Sequence, residues 1–165
     1  MNETSSWNEF IQTAKKDTNL KSALDIKSIL NTNTNTTPNI PSRLVDKTIQ
    51  SISQETHTII SSIRYLSQDQ QNELTTKLVD DSLYMFIDRC CDLQNSAYLR
   101  LIPRDSNKKQ TGGFLIGVKI LDIGMDILIM SGKRVLQYKF DKYFIFQKLK
   151  EDELLFLYII QNGGI

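Results

Sequence analysis

The chain has 165 residues, long enough for one domain with a real core and no need of disulfides or metals. Its hydrophobic content of 40% and charged content of 24% are those of an ordinary soluble globular protein. The net charge of +1 lacks the dense basic stripe of a nucleic-acid binder, so no nucleic-acid partner is expected. That balance hides an asymmetry: residues 1–97 carry 9 Lys/Arg against 12 Asp/Glu, and residues 98–165 carry 11 against 7.

The N-terminus, MNETSSWNEF, lacks the apolar core of a secretory signal, and no apolar run approaches the length of a membrane span. Cys90 and Cys91 are adjacent, which is poor geometry for a disulfide, and they sit in an apolar run. A cytoplasmic protein with free thiols is the expectation.

Ser6-x-x-Glu9 has the form of a capping box, and Trp7, Phe10, Ile11 and Ala14 follow at helical spacing. A second short helix is expected from Thr18, with Leu20, Ala23, Leu24 and Leu30 on one stripe. Residues 1–30 thus read as short helices. Residues 31–41, dominated by Asn and Thr, read as a flexible linker, because they have too little apolar content to offset ordering entropy.

From Pro41 and Ser42 onward a seam of Val45, Ile49, Ile52, Thr56, Ile59, Ile63, Leu66 and Gln70 steps alternately by four and three. That is a heptad pattern, and it fits either a short coiled coil or an ordinary bundle helix. Thr56 and Gln70 weaken the seam, and no charge ladder flanks it. Ser67-x-x-Gln70 forms a further capping box. Leu74, Leu78, Ser82, Met85, Phe86, Cys90 and Leu93 continue at helical spacing, with Val79, Leu83 and Ile87 widening the apolar arc. A helical hairpin over 42–94 is the expectation, within a segment 42–111 that ends in a loop. Ala97–Ile102 fits a last helical turn or a short strand.

Residues 112–165 carry the most apolar stretch and are expected to form an antiparallel meander of four to five strands. Phe114–Leu121 reads as a mostly buried strand, Met125–Met130 and Arg134–Phe140 as a hairpin, and Tyr143–Leu149 as a fourth strand. The run 150–161 fits either a fifth strand or a helix opened by Lys150-Glu151-Asp152-Glu153. Its Phe, Tyr and Ile content favours the strand. The fold class is therefore α+β, with helices first and the meander last.

Catalytic chemistry finds little support. His57 is the only histidine and lies one position past the seam, on the expected solvent face of its helix. One histidine and two adjacent cysteines do not make a metal site. Gly112, Gly113 and Gly117 with Lys119 depart from the phosphate-loop form, because Val118 separates glycine from lysine and a strand follows. The terminal Gly163-Gly164 lacks the fold context of a ubiquitin-like tail. No enzyme activity, cofactor or metal is expected.

The run VKILDIGMDILIMSGKRVLQYKFDKYFIFQKLKEDELLFLYII resembles, in hydrophobic pattern, the central strands of the pleckstrin-homology superfold in its phosphotyrosine-binding and FERM third-lobe versions. It departs from them in offering no long closing helix. The order of helix followed by meander also resembles RWD-type subunits of multiprotein assemblies.

Two functional expectations follow. The first is a non-catalytic protein-interaction protein, a subunit or adaptor of a larger assembly. It would dock or self-associate through Val45, Ile49, Ile52, Ile59, Ile63 and Leu66, or through an unpaired edge of the meander. The second, implied by the resemblance, is a module that binds an anionic membrane lipid or peptide through Arg100, Arg104, Lys108, Lys109, Lys133 and Arg134.

Overall fold

A computed structural model describes residues 41–163; the helices expected within 1–30 and the linker up to residue 40 lie outside the described residues. Three helices and a six-stranded, wholly antiparallel sheet make up the described part. The α+β class therefore holds, with six strands in place of the expected four to five and with a third helix after the sheet.

Helix α1 (Ile49–Ser61) begins at Thr48, whose hydroxyl accepts from the Ser51 N–H at 3.0 Å while the Ser51 hydroxyl accepts from the Thr48 N–H at 2.9 Å. Asp46, at φ 61°, breaks the chain before it, so Ser42–Leu44 forms a separate 3-10 turn. Helix α2 (Gln68–Thr75) starts at the Ser67–Gln70 capping box that the sequence displays. It then widens into a π-helical turn, Thr76–Asp80, and stops. Asp80, Asp81 and Ser82 fall where the helix macrodipole disfavours negative charge.

The expected second helix of the hairpin is thus helical only as far as Asp80 and does not continue to residue 94. Tyr84–Ile87 is strand β1, and Cys90–Asp92 is a 3-10 turn. Tyr84 and Phe86 point to one side of the sheet and Met85 and Ile87 to the other, and both sides are covered. Burial on two faces produces the unbroken apolar run that helical spacing also fits. The strands that follow are β2 (Tyr98–Pro103), β3 (Thr111–Leu121), β4 (Gly124–Ser131), β5 (Arg134–Lys139) and β6 (Tyr143–Lys148). The last element, Glu151–Gln161, is a helix, α3, not the favoured fifth strand of the meander. Three acidic residues occupy its first turn, and the Glu153 carboxylate accepts the Lys150 N–H at 2.9 Å.

Strand order across the sheet is β1-β6-β2-β3-β4-β5. The link from β5 to β6 is only Phe140–Lys142. Four residue steps reach at most about 14 Å. A flat sheet would hold β5 and β6 four spacings apart, about 19 Å. The sheet must therefore curl until the two strands meet, and the Tyr138 and Tyr143 rings pack edge to face with centroids 5.2 Å apart. The register shows the accompanying shear: β2 pairs with residues 111–114 of β3, whereas β4 pairs with 114–121. A bulge at Ile116 bends β3 between the two halves. The two neighbours overlap only at Phe114, and next to it β3 carries Gly113; a Cβ there would stand 2.5 Å from the Met130 carbonyl oxygen.

The concave side holds one hydrophobic core, built from Leu99, Leu101, Leu115, Ile127, Ile129 and Ile145 with Leu44, Ile52 and Leu157 closing over them. A second cluster lies on the convex side of β1, β6 and β2, where Tyr84, Ile102 and Phe146 meet Ile60, Ile63, Leu66 and Leu78. Helix α1 supplies both, because it runs along the outer edge of β1. Its Thr56 hydroxyl, fully buried, donates to the Tyr84 carbonyl at 2.9 Å. An edge carbonyl that no strand pairs is thereby satisfied. The turn before α1 is tied to α3 by a buried ion pair between Arg43 and Glu153.

Replacing Thr56 by Val keeps the volume and removes the donor. A loss of about 1–3 kcal/mol in urea unfolding is expected, and Thr56→Ser should retain most of the stability. Arg43→Met strands Glu153 and should cost about 3–5 kcal/mol, while the Arg43→Met, Glu153→Leu double variant should recover most of it. A double variant as unstable as the single would show that the pair acts through more than mutual charge.

Candidate interaction surface

Five of the six seam residues expected to dock a partner are packed against the chain's own core. Ile52, Ile63 and Leu66 are buried, and Ile49 and Ile59 are partly buried against the two clusters; only Val45 is exposed, at 53%. The expectation that the seam is a surface for partners is corrected accordingly. The heptad spacing arose because α1 crosses a sheet edge and needs apolar residues on a wide stripe. Thr56, the polar break in that stripe, is the residue that bonds the edge.

The basic residues are distributed over separate contacts. The Arg100 guanidinium lies 5.6 Å from the Tyr98 ring centroid, Arg104 lies 4.2 Å from that of Phe144, and the Lys108 ammonium lies 5.7 Å from that of Tyr143. Arg100 also stands beside the Tyr84 hydroxyl, whose pKa burial raises and Arg100 partly lowers again. Lys109 is exposed in the β2–β3 loop, Lys133 lies in the β4–β5 turn and Arg134 opens β5. The register places Arg100 opposite Gly112, about three strands (roughly 14 Å) from the Gly132–Lys133 turn. Lys133 and Arg134 are therefore set apart from Arg100, Arg104 and Lys108 and lie at the start of β5.

His57 is exposed on α1, Cys90 is partly buried and Cys91 exposed as free thiols. Among the described residues no cluster of His, Cys, Asp or Glu could hold a metal ion. Also among them, no helix is long and apolar enough to cross a membrane.

The feature that sequence reasoning missed lies on β3. That strand is not mostly buried: apart from Gly113, only Leu115 is buried, and Phe114, Ile116, Val118, Ile120 and Leu121 are exposed. Helices cover the convex face over β1, β6 and β2 but not over β3, β4 and β5. There Phe114, Met130 and Val135 are successive cross-strand neighbours, exposed by 54%, 42% and 56%. Tyr98 extends the row on β2, its ring 5.1 Å from that of Phe114. A shallow groove of about 570 Å³ begins at these two rings and runs past Lys148, Lys150, Glu151 and Asp152. At the far end of β3 the two-residue turn to β4 lifts Ile120 and Ile123 into solvent, 85% and 87% exposed. An apolar row rimmed by charge on a sheet face is the ordinary form of a protein-docking surface. The run FLIGVKIL contained the signal, but its continuous apolarity masked which face was bare.

Comparison with protein-family models, with curated proteins and with solved structures yields no match to this chain.

The contrast within β3 is measurable. Leu115→Ala should cost about 2–5 kcal/mol in urea unfolding. Ile120→Ser should change stability by no more than about 0.5 kcal/mol. Comparable losses at both positions would contradict the assigned faces.

Proposed function

We propose that this chain is a non-catalytic interaction protein, a subunit or adaptor that docks through the convex face of β3, β4 and β5. The observation that carries the reading is the row Phe114–Met130–Val135, three large apolar side chains in cross-strand register, each about half exposed. Isolated exposed apolar residues need no explanation, but a contiguous row beside a charged groove does. A curled antiparallel sheet followed by a short helix is a scaffold that supports docking without catalysis.

Affinity purification from the cells that make the protein tests this, comparing the wild-type chain with a Phe114→Ser, Met130→Ser, Val135→Ser variant. The variant should keep its thermal melt within a few degrees, because these side chains contribute little to the core. It should lose stoichiometric co-purifying proteins. An unchanged set of partners, or a wild-type chain that elutes alone and monomeric, would overturn the reading.

A further inference from the structure

The two edges of the sheet are treated differently. The outer edge of β1 lies under α1 and its Tyr84 carbonyl is bonded by Thr56. Strand β5 pairs with β4 alone, and none of its backbone groups enters any other backbone hydrogen bond among the described residues. The β4–β5 turn is the two-residue Gly132–Lys133, with Gly132 at φ 61°. Such a turn makes Ser131 and Arg134 a hydrogen-bonded pair, and the alternation of an antiparallel ladder does the same for Ile129–Leu136 and Ile127–Tyr138. Val135 and Gln137 therefore aim their N–H and C=O groups away from the sheet, as an open template.

We propose that the free edge of β5 takes up an extended acidic–apolar segment of another protein as a seventh strand. Charge decides the occupant. Residues 132–142 carry Lys133, Arg134, Lys139 and Lys142 against Asp141 alone, and Asp141 is already paired with Lys142 at 3.7 Å. A second copy of β5 would bring its own basic end against this one, since antiparallel pairing sets Arg134 of one strand towards Lys139 of the other. Like charges across a ladder disfavour that pairing, and lysines on an edge act against self-association. A strand with acidic residues at its ends meets complementary charge instead. An apolar residue on it, opposite Val135, would prolong the row Phe114–Met130–Val135 by one more strand. Backbone pairing would supply affinity, and alternate side chains the selectivity.

This inference rests on the docking reading and names the chemistry of the partner. Its test uses the full chain and three capped ten-residue peptides: one alternating Glu with Val and Ile, its Lys-for-Glu counterpart, and the Glu peptide N-methylated at alternate backbone amides. Fluorescence anisotropy at low salt should show the Glu peptide binding at least about tenfold more tightly than the Lys peptide, with affinity falling as salt rises. N-methylation should abolish binding, and hydrogen exchange at the Val135 and Gln137 amides should slow in the complex. Gln137→Pro removes an outward N–H without touching the β4 ladder, but it also removes the Gln137 side chain that donates to the buried Asp126 carboxylate at 2.5 Å. Gln137→Ala, which loses that side-chain bond and keeps the N–H, is therefore its control: the two variants should melt alike, and only Gln137→Pro should lose the peptide. Equal binding of the Glu and Lys peptides, no binding of the Glu peptide, or protection confined to other amides would overturn the proposal. So would a concentration-dependent dimer that Gln137→Pro dissociates, because the occupant would then be a second copy. If cellular partners are lost with the Phe114, Met130 and Val135 variant but kept with Gln137→Pro, the edge inference falls and the docking reading stands. If neither variant loses partners, both fall.

Discussion

Everything in this fold depends on a link three residues long. Phe140–Lys142 is too short to carry the chain from β5 to β6 across a flat sheet, so the sheet must curl. Curling in turn needs shear, and the shear is visible in β2 and β4 sharing only Phe114 of β3. Shear brings three backbones into close approach at one point, and there the chain carries Gly112 and Gly113. Gly113, where a Cβ would stand 2.5 Å from the Met130 carbonyl oxygen, has no room for a side chain, and a Cβ at Gly112 would sit tightly, 3.0 Å from the Leu99 carbonyl oxygen. The concave core, with Leu99, Ile127 and Ile129 fully buried, is a consequence of that geometry more than of any single contact.

The helices then divide the remaining surface. Helix α1 covers the edge of β1 and reaches both faces, and the segment from Ile63 through Leu78 covers the convex side of β1, β6 and β2. Helix α3 and the Ser42–Leu44 turn close the concave side, joined by Arg43 and Glu153. Burial lowers the Arg43 pKa, an effect that the nearby Asp92 and Asp152 carboxylates oppose, and its Nε has no hydrogen-bond partner. An ion pair so placed specifies position more than it adds stability. What is left uncovered is the convex side of β3, β4 and β5 together with the β5 edge, so the bare face and the bare edge meet at Val135.

The parts legible in the sequence were those with local causes. The Ser67–Gln70 cap, the β4–β5 hairpin around Gly132 and the alternation of Leu136 and Tyr138 with Gln137 are all short-range, and each appears as its residues demand. Misreadings arose where tertiary context chose between periods. Tyr84–Ile87 fits helical spacing and strand burial equally well until Phe146 and Ile145 are known to lie beside it. The acidic first turn of α3 carried the helix signal, outweighed on paper by Phe156, Tyr158 and the isoleucines. The exposed row could not be read at all, because exposure of Phe114 depends on which helices fail to cover it. The same holds for the seam of α1, whose apolar spacing looks alike whether a partner or its own sheet fills it.

Strand β6 is made last among the strands, yet it lies between β1 and β2, the first two. Its partner Tyr84 on β1 precedes Lys148 by 64 positions. At synthesis rates of about 5–20 residues per second, β1 waits roughly 3–13 s for the strand that joins it to β2. During that interval YMFI and LRLIP carry apolar side chains and unpaired backbone with no native neighbour between them. Contacts of such long sequence separation also make folding slow relative to a helical chain of the same size. The architecture therefore makes the nascent chain a natural client for chaperones, and any pause in translation before Tyr143 prolongs the exposure.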